Sequence, residues 1–251
     1  AAGGHNILLK GPPGAGKTML ARAFPYILPP LSLEEDIEVT KIYSISGQLN
    51  SSQPLVLTRP FRSPHHTASY VGLIGGGNSI NPGEITLAHR GILFLDELPE
   101  FPKQALEALR QPLEDHVVTI SRASGALTFP CQFILLAAQN PCPCGFLGDR
   151  KRNCICMPGA IAKYQRRISG PLLDRIDIHL DLPAVEIDKL TAPVNTEDSP
   201  TIRERVIKAR QIQSKRYNGK ILTNSEMSNN DIKQFCQITE DGMKLLKMAI
   251  S

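Results

Sequence analysis

Residues 11–18 read Gly-Pro-Pro-Gly-Ala-Gly-Lys-Thr and lie between an apolar stretch and a run of helix-forming residues. The octapeptide fits the pattern G-x-x-x-x-G-K-[ST], in which glycines let backbone N–H groups turn inward on phosphates. Residues 6–10 predict a buried strand before this loop, and residues 19–23 predict a helix after it. We therefore expect a nucleoside triphosphate site formed by Gly11, Pro12, Pro13, Gly14, Ala15, Gly16, Lys17 and Thr18.

Two side chains of the loop and two carboxylates further along have distinct expected roles. Lys17 reaches the β- and γ-phosphate oxygens, and the Thr18 hydroxyl ligates Mg²⁺. Residues 92–97, Ile-Leu-Phe-Leu-Asp-Glu, predict an apolar strand that ends in two carboxylates. Asp96 is expected to hold Mg²⁺ and Glu97 to polarise the attacking water. The alternative is an acidic pair that only caps a strand.

Two further polar residues stand at the ends of predicted strands. Asn140 follows an apolar strand, where its amide would orient the attacking water or contact the γ-phosphate; a turn-forming Asn is the alternative. Arg175 directly precedes the last predicted strand, and an arginine there would neutralise transition-state charge in a neighbouring subunit. An ion pair of Arg175 with Asp174 or Asp177 is equally compatible with the sequence.

Residues 1–183 alternate strand-like and helix-like stretches, which predicts an α/β fold with a parallel sheet between two layers of helices. Residues 53–89 contain many Gly and Pro residues and are expected to form an insertion or a system of surface loops, and residues 117–130 predict a β-hairpin with a basic tip. Residues 184–200 predict a linker, and residues 201–251 a small, incomplete helical lid. The candidate core strands are 6–10, 38–45, 91–96, 132–138 and 176–182.

Four cysteines fall within fifteen residues, as Cys142-Pro-Cys144 and, after nine residues, Cys154-Ile-Cys156. Disulfides are disfavoured in the cytosol, whereas four thiolates suit a tetrahedral Zn²⁺ ion, although the C-x-C spacing is tighter than the usual C-x-x-C. Reduced thiols and an iron–sulfur site remain as alternatives.

Basic side chains at two predicted loop tips are candidate contacts for a phosphate backbone. Arg122 lies at the tip of the predicted hairpin, and Arg150, Lys151 and Arg152 lie in the Cys loop, residues 142–156. Phosphate contacts of this kind carry no sequence information, so any DNA binding is expected to be insensitive to sequence and sensitive to salt.

One pair of adjacent histidines and two isolated cysteines could suggest functional sites, but we expect structural roles for them. The adjacent His65 and His66 point in different directions and have no carboxylate nearby in sequence, so we expect a loop role or polar packing and not a metal site. Cys131 and Cys236 are expected to be small buried apolar residues.

Composition limits the class of protein. The 251-residue chain has 41% hydrophobic residues and a net charge of +4, which indicates a globular protein that tolerates an anionic partner. No apolar run approaches the ~20 residues that span a bilayer, and no signal segment opens the chain. We therefore expect a cytoplasmic protein with no membrane partner. The absence of Trp argues against base stacking as the main mode of nucleic-acid binding.

Taken together, five stretches resemble the magnesium chelatase-like AAA+ ATPases, and within that family the ComM/YifB branch. The resemblance spans nearly the whole chain, and the second and fourth stretches are far more specific than the phosphate loop. They are residues 11–18, 59–69 (Arg-Pro-Phe-Arg-Ser-Pro-His-His-Thr-Ala-Ser), 82–98, 140–145 (Asn-Pro-Cys-Pro-Cys-Gly) and 168–177.

The resemblance implies an ATPase base with a helical lid, a hexameric ring, and a DNA motor acting in branch migration during transformation. It makes Asn140 the sensor 1 residue, Arg175 the arginine finger, and residues 117–130 the pre-sensor hairpin. It also implies an N-terminal Lon-protease-like domain before this chain and a sensor 2 arginine beyond Ser251. We therefore expect a part of a longer protein, able to bind ATP yet slow to hydrolyse it alone.

Three functions remain open on the sequence. The first is an ATP-driven DNA translocase or branch-migration helicase. The second is the ATPase subunit of a magnesium chelatase that acts in porphyrin metallation. The third is a regulatory module that binds nucleotide without hydrolysing it, and the presence of Lys17, Asp96 and Glu97 disfavours it.

Overall fold

The computed structural model describes residues 1–49, 54–77, 81–122, 125–149, 152–184, 196–219 and 223–250, which contain nine strands and eleven α-helices. The strands are β1 (Ile7–Lys10), β2 (Phe61–Arg62), β3 (Gly75–Gly76), β4 (Asn81–Pro82), β5 (Ile92–Leu95), β6 (Val117–Arg122), β7 (Gly125–Pro130), β8 (Ile134–Gln139) and β9 (Ile178–Asp181). The helices are α1 (Lys17–Ala23), α2 (Leu33–Ile45), α3 (Tyr70–Ile74), α4 (Glu84–Leu87), α5 (Lys103–Glu107), α6 (Arg110–Asp115), α7 (Pro158–Gln165), α8 (Gly170–Leu173), α9 (Ser199–Arg216), α10 (Asn229–Phe235) and α11 (Glu240–Ile250).

Five strands form one parallel sheet in the spatial order β2-β5-β8-β1-β9. Side chains of its central strands alternate between two hydrophobic clusters, one on each face. Leu93 and Leu95 of β5 lie in the cluster that includes α3 and α5, and Ile92 and Phe94 lie in the cluster that includes α1. Strands covered on both faces read as continuous apolar runs, as β5 does. The predicted α/β fold with a parallel sheet is confirmed.

The strand predicted at 38–45 is wrong, because these residues belong to helix α2. A capping box starts this helix: the Ser32 hydroxyl accepts the N–H of Glu35, and the Glu35 carboxylate accepts the N–H of Ser32. Val39 and Ile42 are buried and lie three positions apart, on one face of the helix. The β-branched residues favour a strand locally, but the cap and the packing outweigh that preference.

The edge strand β2 comes from residues 53–89, the stretch interpreted as an insertion. Phe61 of β2 pairs with Ile92 of β5. The Arg62 guanidinium donates to both carboxylate oxygens of Glu84 at 2.6 and 2.7 Å, which ties β2 to α4. This stretch therefore contributes to the central sheet as well as to the surface.

A separate antiparallel hairpin consists of β6 and β7. Val118 and Phe129 pair across it and are buried in the main hydrophobic cluster, so its base is fixed to the core. Arg122 pairs with Gly125 at its far end, and residues 123–124 lie outside the described residues.

The C-terminal part of the chain is helical. Asp198 caps α9 by accepting the N–H of Thr201 at 2.9 Å, and Arg210 on α9 donates to the carbonyl of Ala1 at 2.9 Å. The linker expected at 184–200 falls largely outside the described residues. Every helix of the described part is too short or too polar to cross a bilayer.

Candidate functional site

The phosphate-loop residues lie at the carboxyl edge of the sheet, where β1, β5 and β8 end. Gly11 begins the loop, and its N–H donates to the carbonyl of Gln139, which ties the loop to β8. Gly16 has a φ of +80°, a left-handed conformation that glycine adopts without steric cost, and α1 begins at the next residue. The predicted sequence of strand, loop and helix is therefore present.

Lys17 is buried at the centre of this edge, with 9% of its surface exposed. Its ammonium donates to the carbonyls of Gly11 and Pro12 at 2.8 Å and to Oδ1 of Asn140 at 3.1 Å. Burial lowers the pKa of the Lys17 ammonium, and the carboxylates of Asp96 and Glu97 act in the opposite direction. The fold thus brings Lys17 and Asn140 into contact at this edge of the sheet.

Thr18 and Asp96 are also in contact. The Thr18 hydroxyl donates to Oδ2 of Asp96 at 2.7 Å, and Oδ1 of Asp96 accepts the N–H of Glu97 at 2.9 Å. Glu97 has a left-handed backbone, with φ of +53°, and a side chain that is 53% exposed. Left-handed non-glycine residues are strained and are frequent at functional sites.

His66 contacts Glu97, a contact that the sequence did not predict. The imidazole Nδ1 lies 3.0 Å from Oε2 of Glu97. The two residues are far apart in the chain, and His66 reaches the site because β2 pairs with β5, the strand that precedes Glu97. Only the pairing of these strands could have indicated the contact.

Tyr164 of α7 is a second residue that the sequence reasoning missed. Burial raises the pKa of its phenol to about 12, and the carboxylates of Glu100 and Glu97 act in the same direction, whereas a hydrogen bond with the Asn140 backbone opposes them. The neighbouring Gln165 donates to the carbonyl of Pro141 at 3.2 Å. Helix α7 is therefore fixed to the segment that carries Asn140.

The four cysteines of the Cys loop converge. Sulfur separations are 3.4 Å for Cys142 and Cys144, 3.6 Å for Cys144 and Cys154, and 3.7 Å for Cys142 and Cys154. The backbone N–H of Cys144 donates to the sulfur of Cys156 at 3.4 Å, and all four sulfurs lie within 4.8 Å of one another. A Zn–S bond of about 2.3 Å gives tetrahedral sulfur separations of about 3.8 Å, so the thiols fit a single ion.

The Cys loop packs directly against the phosphate loop at Gly145. This residue has a φ of +85°, and a Cβ built on it would lie 2.6 Å from Cδ of Pro13. No side chain larger than hydrogen fits there without movement. The Cys loop is thus next to the phosphate loop, residues 11–18, and not a remote appendage.

Arg175 lies at the opposite, amino edge of the sheet, because it precedes β9 and all five strands are parallel. Its guanidinium pairs with Glu114 of α6, and Asp177 pairs with His5 at 3.1 Å. Arg175 therefore pairs with Glu114, whereas the sequence had suggested Asp174 or Asp177 as its partner. A four-residue strand is about 13 Å long, so Arg175 cannot reach the phosphate loop of its own chain.

The basic residues proposed to contact DNA are only partly described. The Arg122 side chain and residues Arg150 and Lys151 lie outside the described residues. Arg152 is exposed, with its guanidinium carbon 5.2 Å from the centre of the Phe146 ring. Their DNA contacts stay predictions.

The chain belongs to the magnesium chelatase-like AAA+ family. Residues 1–190 match the family described as magnesium chelatase, subunit ChlI, and residues 196–251 match the C-terminal part of that subunit. The family resemblance drawn from the five sequence stretches is thereby confirmed.

Similar proteins occur in bacteria and in eukaryotes. The chain is 46% identical over 248 residues to the uncharacterized protein YifB of Escherichia coli, covering 98% of this chain and 48% of YifB. It is 43% identical over 257 residues to the competence protein ComM of Haemophilus influenzae, covering 100% of this chain and 48% of ComM. A more distant relative is the DNA replication licensing factor mcm-6 of Caenorhabditis briggsae, 24% identical over 176 residues, which cover 70% of this chain and 18% of mcm-6. The chain spans about half the length of YifB and ComM.

Proposed function

We propose that the protein binds and hydrolyses ATP with Mg²⁺ and uses the energy to translocate on or remodel DNA. The observation that carries the proposal is the convergence, at one edge of the sheet, of side chains suited to phosphate, metal and water from three separate stretches of chain. They are Lys17, Thr18, Asp96, Glu97 and Asn140.

Each contact has a chemical use. Phosphate oxygens carry charge and accept more strongly than the carbonyls that Lys17 now contacts, so its ammonium would turn to them. Thr18 and Asp96 offer the oxygen ligands that Mg²⁺ prefers, and Mg²⁺ when bound neutralises charge on the β- and γ-phosphates. The exposed carboxylate of Glu97 would polarise water, and the Asn140 amide would orient that water or contact the γ-phosphate.

Two substitutions test this assignment. Lys17→Ala should weaken nucleotide binding, because Lys17 meets the ground-state phosphates. Glu97→Gln should leave binding intact and abolish turnover, because the carboxylate acts mainly on the attacking water. Equal losses of nucleotide affinity in the two variants would contradict the assignment.

We also propose that hydrolysis requires assembly into a ring, six-membered by family resemblance, in which Arg175 completes the site of the adjacent copy. Arg175→Ala chains mixed with Glu97→Gln chains should recover some activity, because a Glu97→Gln chain can lend its arginine to an intact carboxylate site. Normal turnover of assembled Arg175→Ala chains alone would exclude Arg175, and Arg166 and Arg167 would be the next candidates.

Support for DNA as the partner comes from the relatives and from the hairpin. One relative is named a competence protein and another a DNA replication licensing factor. The hairpin tip near Arg122 lies in the chain between the catalytic carboxylates and Asn140, where movement of either could reach it. ATPase turnover of the full-length protein with single-stranded and branched DNA is the test: stimulation supports a DNA motor.

The family match itself favours a second candidate, a magnesium chelatase ATPase that acts in porphyrin metallation. Failure of every assembled form to bind DNA at low salt would put this function first. A nucleotide-binding module without hydrolysis is the third candidate, and it would show tight ATP binding with no turnover under any condition.

For the Cys loop we propose one structural Zn²⁺ ion per chain, held by Cys142, Cys144, Cys154 and Cys156. Sulfurs in mutual contact suit one tetrahedral ion better than an inorganic iron–sulfur core, which separates its thiolates. Elemental analysis of protein purified without added metal is the test. A folded, metal-free chain with four titrating thiols would contradict the proposal, and iron with visible absorbance would redirect it.

A further inference from the structure

A cleft with a strongly basic lining lies between the start of α5 and helix α7. It has a volume of about 610 Å³ and is lined in part by the buried ring of Phe101. Every charged residue that lines it is a cation, and we call it the basic cleft. The four cations are Lys103, Lys163, Arg166 and Arg167.

The cations of the basic cleft are exposed and largely without counterions. Among the described residues, only Arg167 has an ion-pair partner, the carboxylate of Glu100 at 2.8 Å. A cleft lined by charges of one sign concentrates a field that attracts the opposite charge. The field of the basic cleft therefore favours an anionic partner.

The basic cleft borders the side of the nucleotide site that a neighbouring copy must approach. Phe101 follows Glu97 by four residues, and the hydrogen bond of Gln165 fixes α7 beside the segment that carries Asn140. The proposed function requires Arg175 of another copy to reach the phosphates at this edge of the sheet. The surface around that arginine must then come close to the basic cleft.

Carboxylates surround Arg175 at the opposite edge of the sheet. Glu114 of α6 pairs with the Arg175 guanidinium, and Asp115 is exposed next to Glu114. Asp174 and Asp177 flank Arg175 in the chain, and the Asp177 side chain is 48% exposed. We call these four carboxylates the acidic group. With the single guanidinium included, this surface still carries net negative charge.

We propose that the basic cleft of one copy docks the acidic group of the next copy and thereby guides Arg175 to the nucleotide site. The inference rests on the proposed function, in which Arg175 acts on the site of another copy. A lone arginine would be repelled by the four cations, whereas the carboxylates that accompany it offset this repulsion. When Arg175 leaves Glu114 for a phosphate, the cations of the basic cleft give the released carboxylate another partner.

A phosphate backbone is the other anionic partner that such a cleft attracts, and the position of the cleft favours a second copy. The cleft lies next to the edge that the arginine of a neighbour must enter, so a neighbour covers it whenever the site is complete. Nucleic acid in the same cleft would compete with that neighbour.

Charge reversal in the basic cleft tests the docking in the full-length protein. Lys103→Glu combined with Lys163→Glu leaves equal numbers of acidic and basic residues in the cleft, and should raise the protein concentration for half-assembly about 10–100-fold. Sedimentation velocity at a saturating level of a non-hydrolysable ATP analogue measures assembly without turnover. Lys208→Glu combined with Lys215→Glu makes the same change of net charge at exposed positions of α9, and should leave assembly unchanged.

A substitution in the acidic group tests which surface fills the cleft. Asp115→Lys alone should raise the half-assembly concentration about 3–10-fold. In the chain with both cleft reversals it should do so by less than about 2-fold, because a neutral cleft no longer attracts the carboxylate. Equal costs in the two backgrounds would show that the surfaces do not meet. Thermal unfolding of dilute, unassembled chains controls for folding, which exposed substitutions should barely change.

The outcomes separate this inference from the proposed function. Normal assembly of the cleft variant overturns the docking, and so does failure of the unsubstituted protein to assemble at any concentration. Normal assembly with weaker binding of single-stranded DNA would identify the cleft as a nucleic-acid surface instead. Normal turnover of Glu97→Gln contradicts the proposed hydrolysis and leaves the measured assembly as it is.

Discussion

A methyl group added at Gly145 tests whether the Cys loop supports the phosphate loop. The new Cβ would lie 2.6 Å from Cδ and 2.8 Å from Cγ of Pro13, at a φ of +85°. Gly148 of the same loop has a φ of +79°, and no described atom lies within 4 Å of its Cβ position. Both alanine substitutions carry left-handed strain of about 1–2 kcal/mol, and only Gly145→Ala adds a clash of about 1–3 kcal/mol.

The clash can be relieved only by moving Pro13 or the Cys loop. The part of the clash energy that is relieved by moving Pro13 should appear as weaker nucleotide binding. A clash of about 1–3 kcal/mol limits this loss of affinity to at most about 5–150-fold. Titration with a fluorescent ATP analogue measures this loss, and denaturant unfolding measures the strain that both variants share. Gly148→Ala should bind nucleotide within about 2-fold of the unsubstituted protein. Equal nucleotide affinities of the two variants would refute the idea that the Cys loop supports the phosphate loop through the contact of Gly145 with Pro13.

Three further predictions concern other regions. Burial raises the pKa of the Cys131 thiol to about 12, so Cys131 should resist alkylation in the folded protein, while the exposed Cys236 reacts; equal rates under native conditions would contradict this. Burial lowers the pKa of His89 from 6.5. The imidazole therefore takes up a proton more readily in the unfolded chain than in the folded one, and the free energy of unfolding should fall as the pH drops from about 8 to 5. His89→Asn should flatten that dependence, because asparagine does not titrate. Its side-chain oxygen can still accept the N–H of Gln132, which Nδ1 of His89 accepts at 3.0 Å. Arg122→Ala should reduce DNA-stimulated turnover and weaken the salt dependence of DNA binding while sparing basal turnover, and wild-type unwinding by this variant would exclude the hairpin tip.

Local sequence was sufficient to predict the structure wherever a single motif determines both the backbone conformation and the chemical groups. The phosphate loop predicted its strand and helix, and residues 92–97 predicted β5 and its terminal carboxylates. These signals are local because the turn needs glycine and the buried strand needs apolar residues at fixed positions. The contact of Lys17 with Asn140 was not predicted, and it forms because the parallel strands β1 and β8 end side by side at one edge of the sheet.

Two predictions failed for different reasons, one because a local helix signal was overlooked and one because a cysteine is exposed. Residues 38–45 contain β-branched residues, yet the capping box at Ser32 and Glu35 was a readable signal for a helix that our interpretation missed. The expectation that Cys236 is buried is wrong, since it is exposed, whereas Cys131 is buried as expected.

Contacts between distant segments had no local signal. His66 meets Glu97 only because β2 joins the sheet beside β5, and a two-residue strand is too short to be recognised from periodicity. Tyr164 likewise lies on α7, which follows the Cys loop in the chain and is held beside Asn140 by the hydrogen bond from Gln165 to the carbonyl of Pro141.

The opposite positions of the phosphate loop and Arg175 on one sheet give each chain a polarity. If Arg175 completes the site of an adjacent copy, as proposed, a copy that donates its arginine to one neighbour receives an arginine from another. Such a contact is head-to-tail and lacks two-fold symmetry. In an open row one terminal site has no donor, whereas ring closure completes every site. Turnover per chain should therefore rise with protein concentration and level off once rings close. A chain defective only in Arg175 would then inactivate the neighbour on one side and leave its own site competent.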